Sequence, residues 1–332
     1  MTAPGTSAGP HPLLDLDDAA PLDRDKAAEA LRRLRIAEVR DPDGPEFAAA
    51  YEMLAGFFLA NGELEERGAL AGFVRDRVLA FGEGLEGVYH LVAAWDGDQL
   101  VGVRDCYVDI DHVRGVCVVA LSHSYVAPSH RRSGLAAAFR ALPVTLARRV
   151  VAERVGRPLP TLVVAEMEPV DPAQPETIVR LLAYGRSGFR VLDPVRVPYS
   201  QPEFRDLPDA AHTAIPLLGV VRPIGLDGLT ELTELPVHLA ASFPRLFHAC
   251  HRLYLPDAKV SPSERHVTAA LHATPAPVSL LPLPTARDTL ARLAPLVRGA
   301  VLPLFPPPLR GPNPGFGDPA EELEGVLAGW SG

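Results

Sequence analysis

Apolar and polar residues alternate along RIAEVRD (35–41) with the period of a half-buried strand. A turn from Asp41 to Pro45 then leads into PEFAAAYEMLAGFFLA, whose apolar residues recur at helical spacing. A short helix, DKAAEALRRL, precedes this strand, and a second helix is predicted over ELEERGALAGFVRDRVLAFG, from about Glu63 to Gly82. YHLVAAW, a DGD turn at 96–98 and QLVGVRDCYVDI have the period of two and the turn chemistry of an antiparallel hairpin. After a further turn at Asp111 to Gly115, GVCVVALSHSYV makes a third consecutive strand, apolar enough at its start to be buried on both faces. A helix follows, RSGLAAAFRALPVTLARRVVAER, with Pro143 predicting a kink. Then come a strand in PTLVVAEMEP, a helix in PETIVRLLAYGRS, and strands in FRVLDPVRVPY and PLLGVVRP (216–223).

The order is β, α, α, three strands, then α, β, α, β, β. The pattern divides the chain into a flexible arm at 1–24, a folded unit at 25–222 and an extension at 223–332, the last helical in LTELTELPVHLAASFPRLFHACHRLYL and VTAALHAT, with PVSLLPLP as a candidate strand and a Pro-rich tail. Charged residues at 22% and hydrophobic residues at 47% fit a soluble globular protein, and no apolar run approaches a bilayer's thickness. The acidic, Pro-rich start lacks the basic and apolar parts of a secretory signal, so a cytoplasmic location is expected. The net charge of −9 argues against nucleic-acid binding and favours a cationic substrate.

Chemistry concentrates at YVAPSHRRSGLA (125–136), where a strand runs through a Pro into Arg131, Arg132, Ser133, Gly134, Leu135 and Ala136 and so into a helix. Small residues there let the backbone approach an anion, and the N–H groups of the helix start point at it. This pattern resembles the signature of the GNAT family of N-acetyltransferases, in which Gln or Arg, two residues, Gly, one residue, and Gly or Ala follow the fourth strand. A second likeness lies in RLLAYGRSGFRVL (180–192), where Tyr184 precedes Gly188 and Phe189 as in the family's R-x-x-x-Y-x-x-x-G-F. AEMEP (165–169) and Tyr199-Ser200-Gln201-Pro202 are similar to a bacterial subgroup of GNAT proteins.

The resemblance implies an α/β (α+β) GNAT fold: a mixed, mostly antiparallel central sheet flanked by helices, with the fourth and fifth strands splayed apart, here followed by a mainly helical extension. It implies acetyl-CoA as cosubstrate, no metal, a small-molecule or peptide amine as acceptor, no nucleic-acid or membrane partner, and a monomer or homodimer. Ser124, Tyr125, Val126 and Arg131 to Ala136 would bind the cosubstrate, with a backbone N–H near Tyr125 or Val126 stabilising the thioester oxygen. Tyr184 would protonate the departing sulfur. Family members often carry Asn seven residues before that tyrosine, where this chain has Thr177. Glu166 and Glu168, two apart on a strand and so on one face, are the candidates for the base that takes the amine's proton or for binding a cationic substrate, with His123 a third candidate base. The other reading is a non-catalytic acyl-CoA-binding or interaction protein built on a GNAT core.

Three further signals are discounted. The GxGxxG at 82–87 follows a helix and precedes a strand, the reverse of a dinucleotide turn. His248, Cys250 and His251 lack the further ligands of a metal site, and Cys106 and Cys117 are expected as buried thiols, not a bridge.

Overall fold

A computed structural model describes residues 13–59, 63–82, 84–171, 174, 176–203, 214–225, 232–306, 309, 318–321 and 323–324. The first twelve residues of the expected arm, and most of the Pro-rich tail, lie outside them. The strands are β1 (Arg35–Glu38), β2 (Val78–Gly82), β3 (Leu85–Asp96), β4 (Gln99–Asp111), β5 (Val116–Val126), β6 (Thr161–Met167), β7 (Arg190–Leu192), β8 (Tyr199–Gln201), β9 (Ile215–Ile224), β10 (Glu234–Leu235) and β11 (Val278–Pro282). The helices are α1 (Arg24–Arg33), α2 (Pro45–Phe58), α3 (Arg67–Asp76), α4 (Leu135–Arg154), α5 (Glu176–Arg186), α6 (Val237–Ala240), α7 (Ser242–His251), α8 (Asp257–His272) and α9 (Arg298–Val301).

One mixed, mostly antiparallel sheet runs in the order β1-β3-β4-β5-β6-β9-β7-β11-β10, with β2 on β3 and β8 on β9. Among the described strands the parallel pair is β5 with β6, because α4 carries the chain back across the sheet before β6 begins. One face packs against α1, α4 and α5 through Phe139, Leu142, Leu181 and Phe189. The other packs against α2, α3, α7 and α8 through Phe47, Leu70, Phe243 and Val267. α4 runs unbroken through Pro143.

Three expectations need correction. The helix predicted over 63–82 stops at Asp76; Arg77 takes a left-handed conformation and VLAFG turns back as β2 on β3, since its apolar residues find a sheet edge to pair with. Gly82 of β2 and Leu85, Glu86 and Gly87 of β3, all from the GxGxxG, pair within that β2–β3 hairpin. The described part of the expected arm is packed: Leu14, Ala19 and Ala20 are buried, and Asp18 receives hydrogen bonds or ion pairs from Thr145 and Arg148 of α4. The chain after β9 is continuous with the rest, for β11 pairs with β7 in the main sheet and the helices α7 and α8 close one of its faces.

Candidate active site

The pairing of β5 with β6 runs from Cys117 opposite Thr161 to Leu121 opposite Ala165 and stops there, although β5 continues to Val126 and β6 to Met167. The cause is local. A bulge places Ser122 and His123 of β5 opposite the single residue Asp105 of β4, which bends β5 and inverts its alternation. Before the bulge the N–H of Cys117 points to the β6 side, to the Pro160 carbonyl; after it, the N–H groups of His123 and Ala127 point to β4. Strand alternation therefore turns the N–H groups of Ser124 and Val126 into the gap between the splayed strands. Of Tyr125 and Val126, it is Val126 whose N–H turns into that gap.

Beyond Val126 the chain makes a short turn and enters α4. Gly134 adopts φ 86° at the N-cap, and Arg132 has φ 70°. Among the described residues, the N–H groups of Arg132, Gly134 and Ala136 have no protein acceptor, whereas Ser133, Leu135 and Ala137 are paired locally. Arg131, Arg132 and Ala136 are exposed. A helix start with unpaired N–H groups and two arginines fits a pyrophosphate. Gly134 has a second constraint not foreseen from the sequence: a Cβ there would lie 2.0 Å from the Lys26 carbonyl of α1.

Tyr184, on α5, is half-buried and packs edge-on against Phe189 at 4.8 Å between centroids; its hydroxyl has no hydrogen-bond partner among the described residues. The helix ends as its glycine predicts, with Gly188 at φ 81° and the Phe189 N–H returning to the Tyr184 carbonyl. Thr177 is buried, and its hydroxyl donates to the Gln174 carbonyl at 2.7 Å. It braces the entry to α5.

The two glutamates read as a pair diverge. Glu168 lies past the end of β6 and pairs with Arg180 of α5 at 2.9 Å. Glu166 turns to the α2/α7 face, where it accepts a hydrogen bond from the Tyr199 hydroxyl; burial pushes its carboxyl up to about 7 against the opposing pull of that bond and of His123. His123 is buried with both ring nitrogens facing acceptors, Nδ1 the Asp105 carboxylate at 3.0 Å and Nε2 the Glu63 carbonyl at 2.6 Å. Desolvation opposes its charge, but the Asp105 carboxylate overrides it and raises the imidazole to about 10. His123 is thus a fixed cation, which removes it as a candidate base.

Several members of this cluster escape notice in the sequence. Asp105 also accepts from the Tyr89 hydroxyl at 2.9 Å, and Glu65 takes a weak contact from Tyr107 at 3.5 Å. Tyr254, after α7, lies within electrostatic reach of Glu65 and Glu166. An aspartate inside the apolar strand QLVGVRDCYVDI is a legible signal for a buried polar site; a loop glutamate and a tyrosine over a hundred residues away carry none. The His248–Cys250–His251 group is buried in α7, where desolvation holds both imidazoles low, and no metal-ligating cluster occurs among the described residues. Cys106 and Cys117 are separate buried thiols, opposite Leu121 and Ile110 respectively.

No protein-family model matches the sequence, and no curated protein does. Solved structures that match include an aminoglycoside acetyltransferase from an uncultured soil metagenomic sample in complex with sisomicin (14% identity over 46% of this chain and 87% of that one, TM-score 0.31). An acetyltransferase of the GNAT family from Streptococcus pneumoniae matches at 13% identity over 57% of this chain and 99% of that one, TM-score 0.31. The protein yncA from Salmonella typhimurium, with its cofactor acetyl-CoA, matches at 18% identity over 58% and 94%, TM-score 0.31. These similarities are too distant to place a residue. With its mixed, mostly antiparallel sheet, a parallel β5–β6 pair that opens beside an N–H-lined helix start, and β10 and β11 added at the far edge, the chain has a GNAT-like α+β fold.

Proposed function

We propose that the chain is an N-acetyltransferase that uses acetyl-CoA and an amine. The observation that supports this most directly is the end of β5–β6 pairing at Leu121 and Ala165, beside the unpaired N–H groups of 132, 134 and 136. Arg131, Arg132 and those N–H groups would hold the pyrophosphate, and the gap between the strands would take the pantetheine arm. Acetyl-CoA supplies an activated acetyl thioester, from which the amine nitrogen takes the acyl carbon as the carbon–sulfur bond breaks.

The chain's residues would handle charge and protons. The N–H of Val126 points into the gap, where it can hold the acyl oxygen as negative charge grows on it. Glu166, half ionised near neutral pH, can take the proton lost by the amine nitrogen, directly or through a water. Tyr184 can give its phenolic proton to the leaving sulfur. The His123 cation, locked between Asp105 and the Glu63 carbonyl, favours the ionised form of Glu166 without exchanging protons itself.

The second reading, a non-catalytic acyl-CoA binder, has one observation in its favour: the Thr177 hydroxyl is engaged by the Gln174 carbonyl and offers the pantetheine nothing. A single experiment separates the two. Purified protein is tested for a rise in melting temperature with coenzyme A, and for thiol release from acetyl-CoA across a panel of amines. Both responses are expected; a thermal shift without thiol release supports the second reading, and neither response overturns both.

A further inference from the structure

The acceptor side of the splay has two unlike parts, and together they define a class of amine. At depth are carboxylates: Asp105 pairs with His123, and Glu65 and Glu166 each lie in electrostatic contact with Tyr254. Glu65 Oε2 is buried and has no hydrogen-bond partner among the described residues, and burial pushes this carboxyl up from its ordinary value. A carboxylate oxygen held away from water without a donor is an expensive arrangement unless a ligand supplies one.

At the rim the chemistry changes. The Phe57 ring, 50% exposed at the end of α2, stands 5.3 Å from the Tyr125 ring of β5 and 4.9 Å from Phe58, whose own ring lies 5.0 Å from His123. Leu59 beside it is 49% exposed. Large side chains so exposed on one turn form an apolar collar, and two strand positions, roughly 7 Å, separate its Tyr125 from His123 at the acidic floor. Across the mouth, Glu63 and the Glu168–Arg180 pair set a net negative charge that disfavours a carboxylate on the acceptor.

Resting on the acetyl-transfer reading above, we propose that the acceptor is a primary amine on an apolar, preferably aromatic, body, its ammonium held by Glu65 and its body by Phe57 and Tyr125. A polyhydroxylated amino sugar would set its hydroxyls against rings that cannot pair with them.

The test measures kcat/KM of the full chain for 2-phenylethylamine, ethanolamine, glucosamine, spermidine and phenylalanine at saturating acetyl-CoA. 2-Phenylethylamine should exceed ethanolamine and glucosamine by about tenfold or more, and phenylalanine should be poor. Phe57→Ala, at an exposed position with little bearing on folding, should cut the phenylethylamine-to-ethanolamine ratio about 3- to 10-fold, as loss of one aromatic contact implies. Glu65→Gln should raise KM for every amine about tenfold while retaining the coenzyme A thermal shift, which also shows that the variant folds. Preference for glucosamine or spermidine, or a ratio that Phe57→Ala and Phe57→Leu both leave unchanged, overturns the proposal while sparing the transferase reading. Thermal stabilisation by coenzyme A with no acetylation of any amine overturns both.

Discussion

Glu166 makes the sharpest demand on the mechanism. Its carboxyl is raised to about 7 by burial, so if its ionised form accepts the proton, kcat/KM must rise with pH as it ionises. The ionised fraction grows from ~3% at pH 5.5 to ~97% at pH 8.5, a rise of roughly 30-fold in rate. Glu166→Gln should abolish this limb and lower kcat/KM at pH 8 by about 10²- to 10⁴-fold, with coenzyme A affinity kept. Tyr199→Phe gives a subtler check. It deletes a hydrogen bond that lowers the Glu166 value while preserving the ring's packing on Phe243 at 4.8 Å, so the midpoint should move to higher pH by on the order of one unit. The assay is thiol release at saturating acetyl-CoA with two acceptors whose own ammonium groups titrate about two units apart, since a limb from the free amine would follow the acceptor. A midpoint that tracks the acceptor and ignores Tyr199→Phe refutes the assignment and leaves water as the proton acceptor.

Tyr184→Phe should reduce kcat by about 10- to 1,000-fold with coenzyme A binding unchanged; unaltered turnover would make Tyr184 a packing residue only. Ala136→Glu places a carboxylate at an exposed first-turn position where the helix dipole favours it, so the melting temperature of the free protein should hold or rise while the shift with coenzyme A disappears. Gly134→Ala should instead destabilise the protein by on the order of 2 kcal/mol or more in chemical denaturation, through its φ of 86° and the Lys26 carbonyl 2.0 Å from the new Cβ. The His123–Asp105 pair raises the imidazole from 6.5 to about 10, so its stabilisation is complete below 6.5 and is lost as pH rises to 10. Thermal melts across that window should show the decline in the parent protein and not in Asp105→Asn.

What the sequence disclosed follows from the range of the interactions. The strand–turn–helix at 125–136 and the helix end at Gly188 are local, and they read correctly because a left-handed glycine or an open helix start is written in neighbouring residues. The helix over 63–82 misled because VLAFG is apolar enough for either element, and only the edge of β3, supplied by residues 85–88, decides for a strand. Glu166 and Glu168 share a strand period, yet strand period says nothing about partners: Arg180 draws one away and Tyr199 draws the other inward. His123 taken alone has the chemistry of a base, but Asp105, eighteen residues earlier, holds its Nδ1.

The residues after β9 bear on the chemistry more than their position in the chain implies. α7 and α8 cover the sheet face that holds Glu166, and Tyr199, which donates to it, is itself fully buried against Phe243 of α7 at 4.8 Å. The Ser263 hydroxyl of α8 donates to the Ser200 carbonyl and so fixes β8, the strand that carries Tyr199. Tyr254 closes the cluster from the segment that follows α7. A glutamate at the open end of a splayed strand would ordinarily be solvated and too weak a base near neutral pH; here the C-terminal helices exclude water from it, and that desolvation is the largest influence on its titration. In the proposed mechanism α7 and α8 therefore act on the reaction through Glu166. They would set the proton affinity of the group that receives the amine's proton, while α4 and the loop before it would hold the donor.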